Sequence, residues 1–187
     1  MTAGRIKRRE DFKIFFPLLT RDQIQSSGLE LVESSEPYSL FDDRILFLGE
    51  IPRKTEFEQG LPNAFYEEDG EEKKDNMEDD TGIIMNLKGK GLVVLSGCAH
   101  AGIINTINYA REITGIDKIH VAMGGFHLSG PQFEPVIQPT TESLKAIGPD
   151  YVIPTHCTGR NAINYIEKEM PDRFLLNMVG TKLTFTA

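Results

Sequence analysis

The sequence is poor in cysteine and histidine and has no long apolar run, and each shortage excludes a class of protein. Two cysteines in 187 residues, Cys98 and Cys157, are too few for a disulfide framework. A reducing compartment follows, with the cytoplasm as the default. No stretch approaches the ~18–20 apolar residues of a membrane span. The apolar segment Ile14-Phe-Phe-Pro-Leu-Leu19 is too short for a secretory leader, contains Pro17, and follows Asp11 and Lys13. No basic patch is present beyond Arg5, Lys7, Arg8 and Arg9, a short terminal cluster. Nucleic acid is therefore not expected as a partner, because phosphate binding needs a positive surface. There is no internal repeat of solenoid length. Only four histidines occur, and none forms an H-x-H or H-x-x-x-H pair. A two-metal centre is not easily assembled from these residues alone.

What is present is a chain long enough to bury a core as one domain over residues 1–187. Its formal net charge is -8, and most of that lies in one place. Glu67-Glu-Asp-Gly-Glu-Glu-Lys-Lys-Asp-Asn-Met-Glu-Asp-Asp80 is dominated by carboxylates, so the rest of the chain is close to neutral. Residues 52–80 show no periodicity and are expected to form one long acidic loop.

Local patterns predict alternating elements. Thr20 with Gln23 three residues on is a capping box, and Gly28 a stop, for a short helix. Residues 9–16 read as a short helix or an irregular element. Leu29-Glu-Leu-Val-Glu33 alternates as a half-exposed strand would. Arg44–Leu48, Gly82–Leu87 and Leu92–Leu95 read as strands, the last two joined by a turn at Lys88-Gly-Lys-Gly91. Ile103, Ile107, Ala110 and Ile113 then share one helical face, and Gly115 ends that helix. A helix from Thr140 or Thr141 to Ile147, another from Arg160 to Met170, and closing strands at Arg173–Asn177 and Lys182–Phe185 complete a layered α/β domain with a mixed sheet.

The chain is organised around Gly91-Leu-Val-Val-Leu-Ser-Gly-Cys-Ala-His-Ala-Gly102, a buried strand that delivers His100 to an edge just before a helix. Lys118-Ile-His-Val-Ala-Met-Gly-Gly-Phe-His127 and Tyr151-Val-Ile-Pro-Thr-His156 repeat the plan. Three strands that each end in a histidine bring imidazoles from distant sequence to one point, and neutral imidazole suits zinc or iron. His120, inside its strand and out of phase with Ile119 and Val121, reads as a packed or surface residue. Cys98, His100, His156 and Cys157 also make a Cys2His2 set that zinc accepts. Adjacent residues in a regular strand point to opposite faces, however, so His156 and Cys157 are not expected to converge. Cys98 is read instead as a small packing residue.

Ser96-Gly-Cys-Ala-His-Ala-Gly-Ile103, Gly124-Gly-Phe-His-Leu128 and Pro154-Thr-His-Cys-Thr-Gly159, in that order, resemble the metallo-β-lactamase-fold hydrolases. The similarity is to the subgroup of the archaeal dihydropterin–ribofuranosylaminobenzene-phosphate synthases, and Phe15–Thr20 and Gly49–Pro52 extend it over most of the chain. The resemblance implies an αββα sandwich of two similar halves with metals at the sheet edges between them. It makes His100 and His156 metal ligands. His127 falls near the superfamily's bridging aspartate, and with no Asp there it is left to touch substrate or a second metal. The family's His-x-His-x-Asp-His motif is missing, so the chain is expected to be a C-terminal portion, incomplete in the N-terminal half. Half a sandwich leaves an apolar sheet face to be covered.

The resulting expectation is a metal-dependent hydrolase-like protein acting on a small phosphoester, ester or similar substrate, with little or no activity as this chain alone. The cofactor is a divalent metal, zinc before iron or manganese. The alternative is a non-catalytic assembly module that pairs through the exposed sheet face with itself or with a separate N-terminal half.

Overall fold

A computed structural model describes residues 4–8, 11–17 and 19–187. Ten strands, four helices and one short 3-10 turn are present among them. Strands β1 (Gly4–Arg8) and β2 (Lys13–Phe15) open the chain, followed by helix α1 (Arg21–Ser26). Residues 9 and 10 of the segment read as helical or irregular lie outside the described residues; the part at 13–15 is a strand. The capping box at α1 forms as the sequence predicts: Gln23 N donates to Thr20 Oγ1 at 3.2 Å and Thr20 N to Gln23 Oε1 at 2.8 Å.

The strand expected at Leu29–Glu33 does not form. Leu29 and Val32 are exposed, so its alternation has no core to face. Two short strands follow, β3 (Tyr38–Leu40) and β4 (Ile45–Phe47). The acidic stretch is not one loop. It holds a hairpin, β5 (Ala64–Glu68) and β6 (Glu71–Lys74), turned at Asp69-Gly70 with both residues at positive φ. Like charges stand across it at Glu67↔Glu72 and Glu68↔Glu71. The hairpin is held to β1 instead, where Arg8 Nε donates to Glu72 at 3.0 Å and β5 pairs along the strand.

β7 (Gly82–Leu87) and β8 (Gly91–Ser96) form the expected hairpin. Helix α2 (Ile103–Thr114) ends on left-handed Gly115. β9 (Ile119–Gly125) follows, then helix α3 (Glu134–Ile147), strand β10 (Tyr151–Thr155), the 3-10 turn His156–Thr158, and helix α4 (Arg160–Glu169). α3 begins well before the predicted Thr140. Pro135 stands in its first turn, where a missing N–H is harmless. Pro139 lies inside the helix and leaves the carbonyl four residues back without its usual bond. Burial of Ile137, Thr140, Thr141 and Leu144 keeps the helix going regardless. The two closing strands are not strands. Val152 and Phe174 make a single bridge, and beyond it Leu176, Met178 and Val179 are exposed.

Two sheets result, one in the order β2-β1-β5-β6 and one in the order β10-β9-β8-β7-β4-β3. In the second, β8, β9 and β10 run parallel and are joined through α2 and α3. Ala122 and Val152 pack into a cluster with Ile107, Ala110, Leu144 and Ile166 from the helices. Val121 and Ile153, each one position away along its strand, are just as buried on the opposite face. Parallel strands covered on both faces hold their C-terminal ends in fixed relation, and that is where the histidines emerge.

Candidate metal centre

β8 ends at Ser96, β9 at Gly125 and β10 at Thr155, side by side. The loops that leave them are tied together. Gly125 N donates to Gly97 O at 3.0 Å, Ser96 Oγ to Gly125 O at 2.8 Å, and Phe126 N to Thr158 Oγ1 at 3.0 Å. Ala99, His127 and His156 all carry left-handed φ, at 55°, 45° and 52°. Non-glycine residues avoid that region, and three such residues at one sheet edge are backbone held in shape by its surroundings.

His100 sits between β8 and α2. Its Nδ1 lies 3.4 Å from Asp80 Oδ1, and Asp80 Oδ2 accepts from Ala101 N at 2.8 Å. Burial pushes the Asp80 carboxyl up, but the bonds from His100 and Ala101 outweigh it and the net shift is down. A carboxylate on one ring nitrogen fixes the tautomer and leaves the other nitrogen free to bind.

The start of α2 is built in an unusual way. Its cap is Gly102, with no side chain, and Glu58 does the capping from a distant segment. Ile104 N donates to Glu58 Oε1 at 2.9 Å and Asn105 N to Oε2 at 2.8 Å. A Cβ on Gly102 would lie 2.0 Å from that carboxylate, so the glycine is required. Burial raises the Glu58 carboxyl to about 7 against the pull of the two amides. Asn105 Oδ1 accepts from Lys54 N and Thr55 N at 3.0 and 2.9 Å, so residues 54–58 are clamped onto the loop that carries His100.

His127 packs its ring against His100, centroid to centroid 4.4 Å, and edge-on against Phe133 at 4.9 Å. Burial first, and the neighbouring His100 second, lower its pKa to about 4. It is therefore neutral at pH 7, the form that binds metal. Its Nδ1 is buried and has no hydrogen-bond partner among the described residues. Glu58, His100, Phe126, His127 and Phe133 line a cavity of about 230 Å³.

His156 stands on the other side. It is exposed, and its ring nitrogen groups with the thiols of Cys98 and Cys157, all ligand atoms lying within 4.8 Å of one another. The expected divergence of His156 and Cys157 does not occur, because β10 stops at Thr155 and the two residues lie in a 3-10 turn. Cys157 Sγ donates to Cys98 O at 3.4 Å, and burial together with Cys98 pushes the Cys157 thiol up to about 12. His120 takes no part. It is buried, meets Asp150 Oδ2 at 2.7 Å through Nδ1, and packs against Tyr151 and Phe185.

The three strand ends thus carry two adjacent groups, His100–Asp80 with His127, and Cys98–His156–Cys157. Imidazoles, thiols and a carboxylate form a donor set suited to a borderline divalent ion, and the orphaned His127 nitrogen fits such a ligand. Asp80 and Glu58 were absent from the sequence-derived site. Asp80 stands two residues before β7, whose Gly82 pairs with Ser96 at the end of β8, the strand that leads to His100. Nothing in the local pattern pointed to Glu58.

The mixed α/β architecture and its edge of histidines define a class. The structure aligns with the crystal structure of Tm1679, a metal-dependent hydrolase of the β-lactamase superfamily, at a TM-score of 0.74 and 26% identity, over 84% of this chain and 59% of that one. The fold is that of the metallo-β-lactamase superfamily, as the sequence motifs implied. Within it, the chain is a homologue of 7,8-dihydropterin-6-methyl-4-(β-D-ribofuranosyl)-aminobenzene-5'-phosphate synthase of Methanocaldococcus jannaschii. The two are 34% identical over 157 residues, 82% of this chain and 52% of the relative. The uncharacterized protein MJ0448 of the same organism is 31% identical over 78% of this chain and 51% of its own length. This chain therefore spans about half the length of the curated relatives it matches. No protein-family model matches it.

Proposed function

We propose that this chain carries one edge of a divalent-metal-dependent hydrolytic centre of the metallo-β-lactamase type. His100 and His156 are its metal ligands, and His127 faces a small phosphoester or ester substrate. The observation that carries this reading is the adjacency of β8, β9 and β10, whose ends bring the three histidine loops to one place. A bound divalent ion supplies Lewis acidity toward a phosphoryl or carbonyl oxygen and activates water. Zinc heads the candidates, with iron and manganese behind it.

The chain's own residues prepare the site. Asp80 holds the His100 ring. Glu58 and Asn105 hold the loop beneath it. Phe126 and Phe133 give the cavity apolar walls, which strengthen polar contacts made inside. His127, neutral at pH 7, lines the cavity in which the substrate would sit. Because most of the superfamily's ligands lie in a motif this chain lacks, activity of the chain alone is at or near background.

The assay is hydrolysis of a chromogenic phosphoester with added zinc, manganese or iron(II). The expected rate is near background, and any turnover disappears with a chelator or with His156→Ala. Turnover that survives both chelation and the His100→Ala, His156→Ala double variant contradicts the reading.

A second reading, an assembly module, is favoured by one observation. Phe12, Phe15, Phe16, Leu19, Leu29 and Phe41 are all at least 48% exposed, within a single stretch of chain. Only Phe15 of these lies in a strand, so the surface is not the open sheet face expected, but such a concentration of large apolar side chains favours pairing with a second copy or a separate N-terminal half. Size-exclusion chromatography tests it: elution as a dimer or larger supports pairing with itself, and a stable monomer at high concentration removes that arm.

A further inference from the structure

We infer that Cys98, His156 and Cys157 form a thiolate-bearing site for zinc or a similar borderline divalent cation, distinct in its donors from the His100–Asp80 pair. It uses His156, which the proposed hydrolytic centre also claims, and is tested separately from that reading.

Four observations converge. The ligand atoms of the three residues already lie within 4.8 Å of one another. Around tetrahedral zinc, sulfur and nitrogen ligands stand about 3.5–3.8 Å apart, so a contraction of roughly 1 Å completes the geometry. The backbone is shaped for it. Cys98 comes from the loop after β8, while the 3-10 turn, with His156 at φ 52°, brings two adjacent side chains to the same side. The notch they occupy is kept open by a missing side chain. A Cβ on Gly125 would lie 2.7 Å from Cys157 Sγ and 3.1 Å from Cys98 Cα. Finally, the burial is graded, with both cysteines half-buried and His156 exposed.

Three protein ligands at a solvent-facing rim leave a fourth position for water or substrate. That is the arrangement of zinc sites that do chemistry, rather than of closed structural ones. Two thiols and an imidazole select zinc, cobalt or a softer ion and disfavour magnesium and calcium, which take oxygen ligands. The competing role for the cysteines, as small packing residues, accounts for their partial burial. It does not require His156 to turn toward them through a left-handed backbone.

The experiment is a titration of cobalt(II), as a spectroscopic stand-in for zinc, into the chain with both thiols reduced. The expected result is a sulfur-to-cobalt charge-transfer band that saturates at about one equivalent and is erased by zinc. Cys98→Ser and Cys157→Ser should each weaken binding about tenfold to a hundredfold, while His120→Ala, outside both groups, leaves the band in place. Circular dichroism shows that each variant is folded, and Cys98→Ala is the replacement should the serine not be tolerated. A folded wild-type chain that binds cobalt without charge transfer overturns the inference. So do cysteine variants that bind as tightly as wild type. If such sulfur-free binding is lost in His100→Ala and His156→Ala, the hydrolytic reading survives without the thiolate site. If charge transfer persists and no binding of any kind responds to His100→Ala, the thiolate site stands and the hydrolytic ligand pair falls.

Discussion

Glu58 shows how much of the site is decided by single side chains. Its carboxylate accepts from two amides at the start of α2, next to the loop that carries His100. Glu58→Ala leaves both amides buried and unpaired, at about 1–3 kcal/mol each, and should lower the urea midpoint accordingly. The carboxyl also titrates. Its folded pKa, about 7, lies above the ordinary 4.5, so its contribution is full below 4.5 and is lost as pH rises through 7. His127 has the opposite sign. Its folded pKa of about 4 lies below 6.5, so its contribution is present above 6.5 and is lost as pH falls through 4. Between pH 4.5 and 6.5 the two slopes oppose each other. Glu58→Gln should therefore steepen acid destabilisation, and His127→Gln should flatten it, in denaturant melts taken across that window. Gly125→Ala tests the notch directly: with backbone and sulfur within 3.1 Å of the new methyl, the variant should be less stable by about 1–3 kcal/mol. That the His100, His127 and His156 loops meet was legible in the sequence because each follows an apolar strand within a few residues. Asp80 was hidden in a run of acids, and only its contacts with Ala101 and His100 set it apart.

Elements were legible where the pattern was both periodic and buried. β7, β8, α2 and β10 follow their apolar repeats because those repeats meet one core. Leu29–Glu33 alternates equally well but faces solvent, and periodicity without a partner makes no strand. The hairpin β5–β6 was missed because its charges hide a turn at Asp69-Gly70 and it is steadied by β1, far away in sequence. The difference between local and tertiary support is measurable. α1 owes its form to the Thr20–Gln23 capping box and buries no residue. Thr20→Ala should speed amide exchange in α1 while leaving the global melting temperature unchanged. α3 owes its form to burial that overrides an internal proline. Leu144→Ala, at a fully buried position, should cost about 2–5 kcal/mol of global stability by chemical denaturation.

At the scale of the whole molecule, the histidine edge rests on a well-buried parallel core, while the exposed apolar side chains gather in residues 12–41 and 176–179. No helix among the described residues is long and apolar enough to cross a membrane. The part that carries the histidine edge is thus the best-supported part of the fold, and an ion bound there should add stability by linkage in proportion to its affinity. The most direct test of the central claim is the metal content of the purified, monodisperse chain after zinc loading and dialysis, beside its His156→Ala variant. The account predicts about one zinc ion per chain, lost in the variant. A folded wild-type chain that retains no zinc, or a variant that retains as much as wild type, would contradict it.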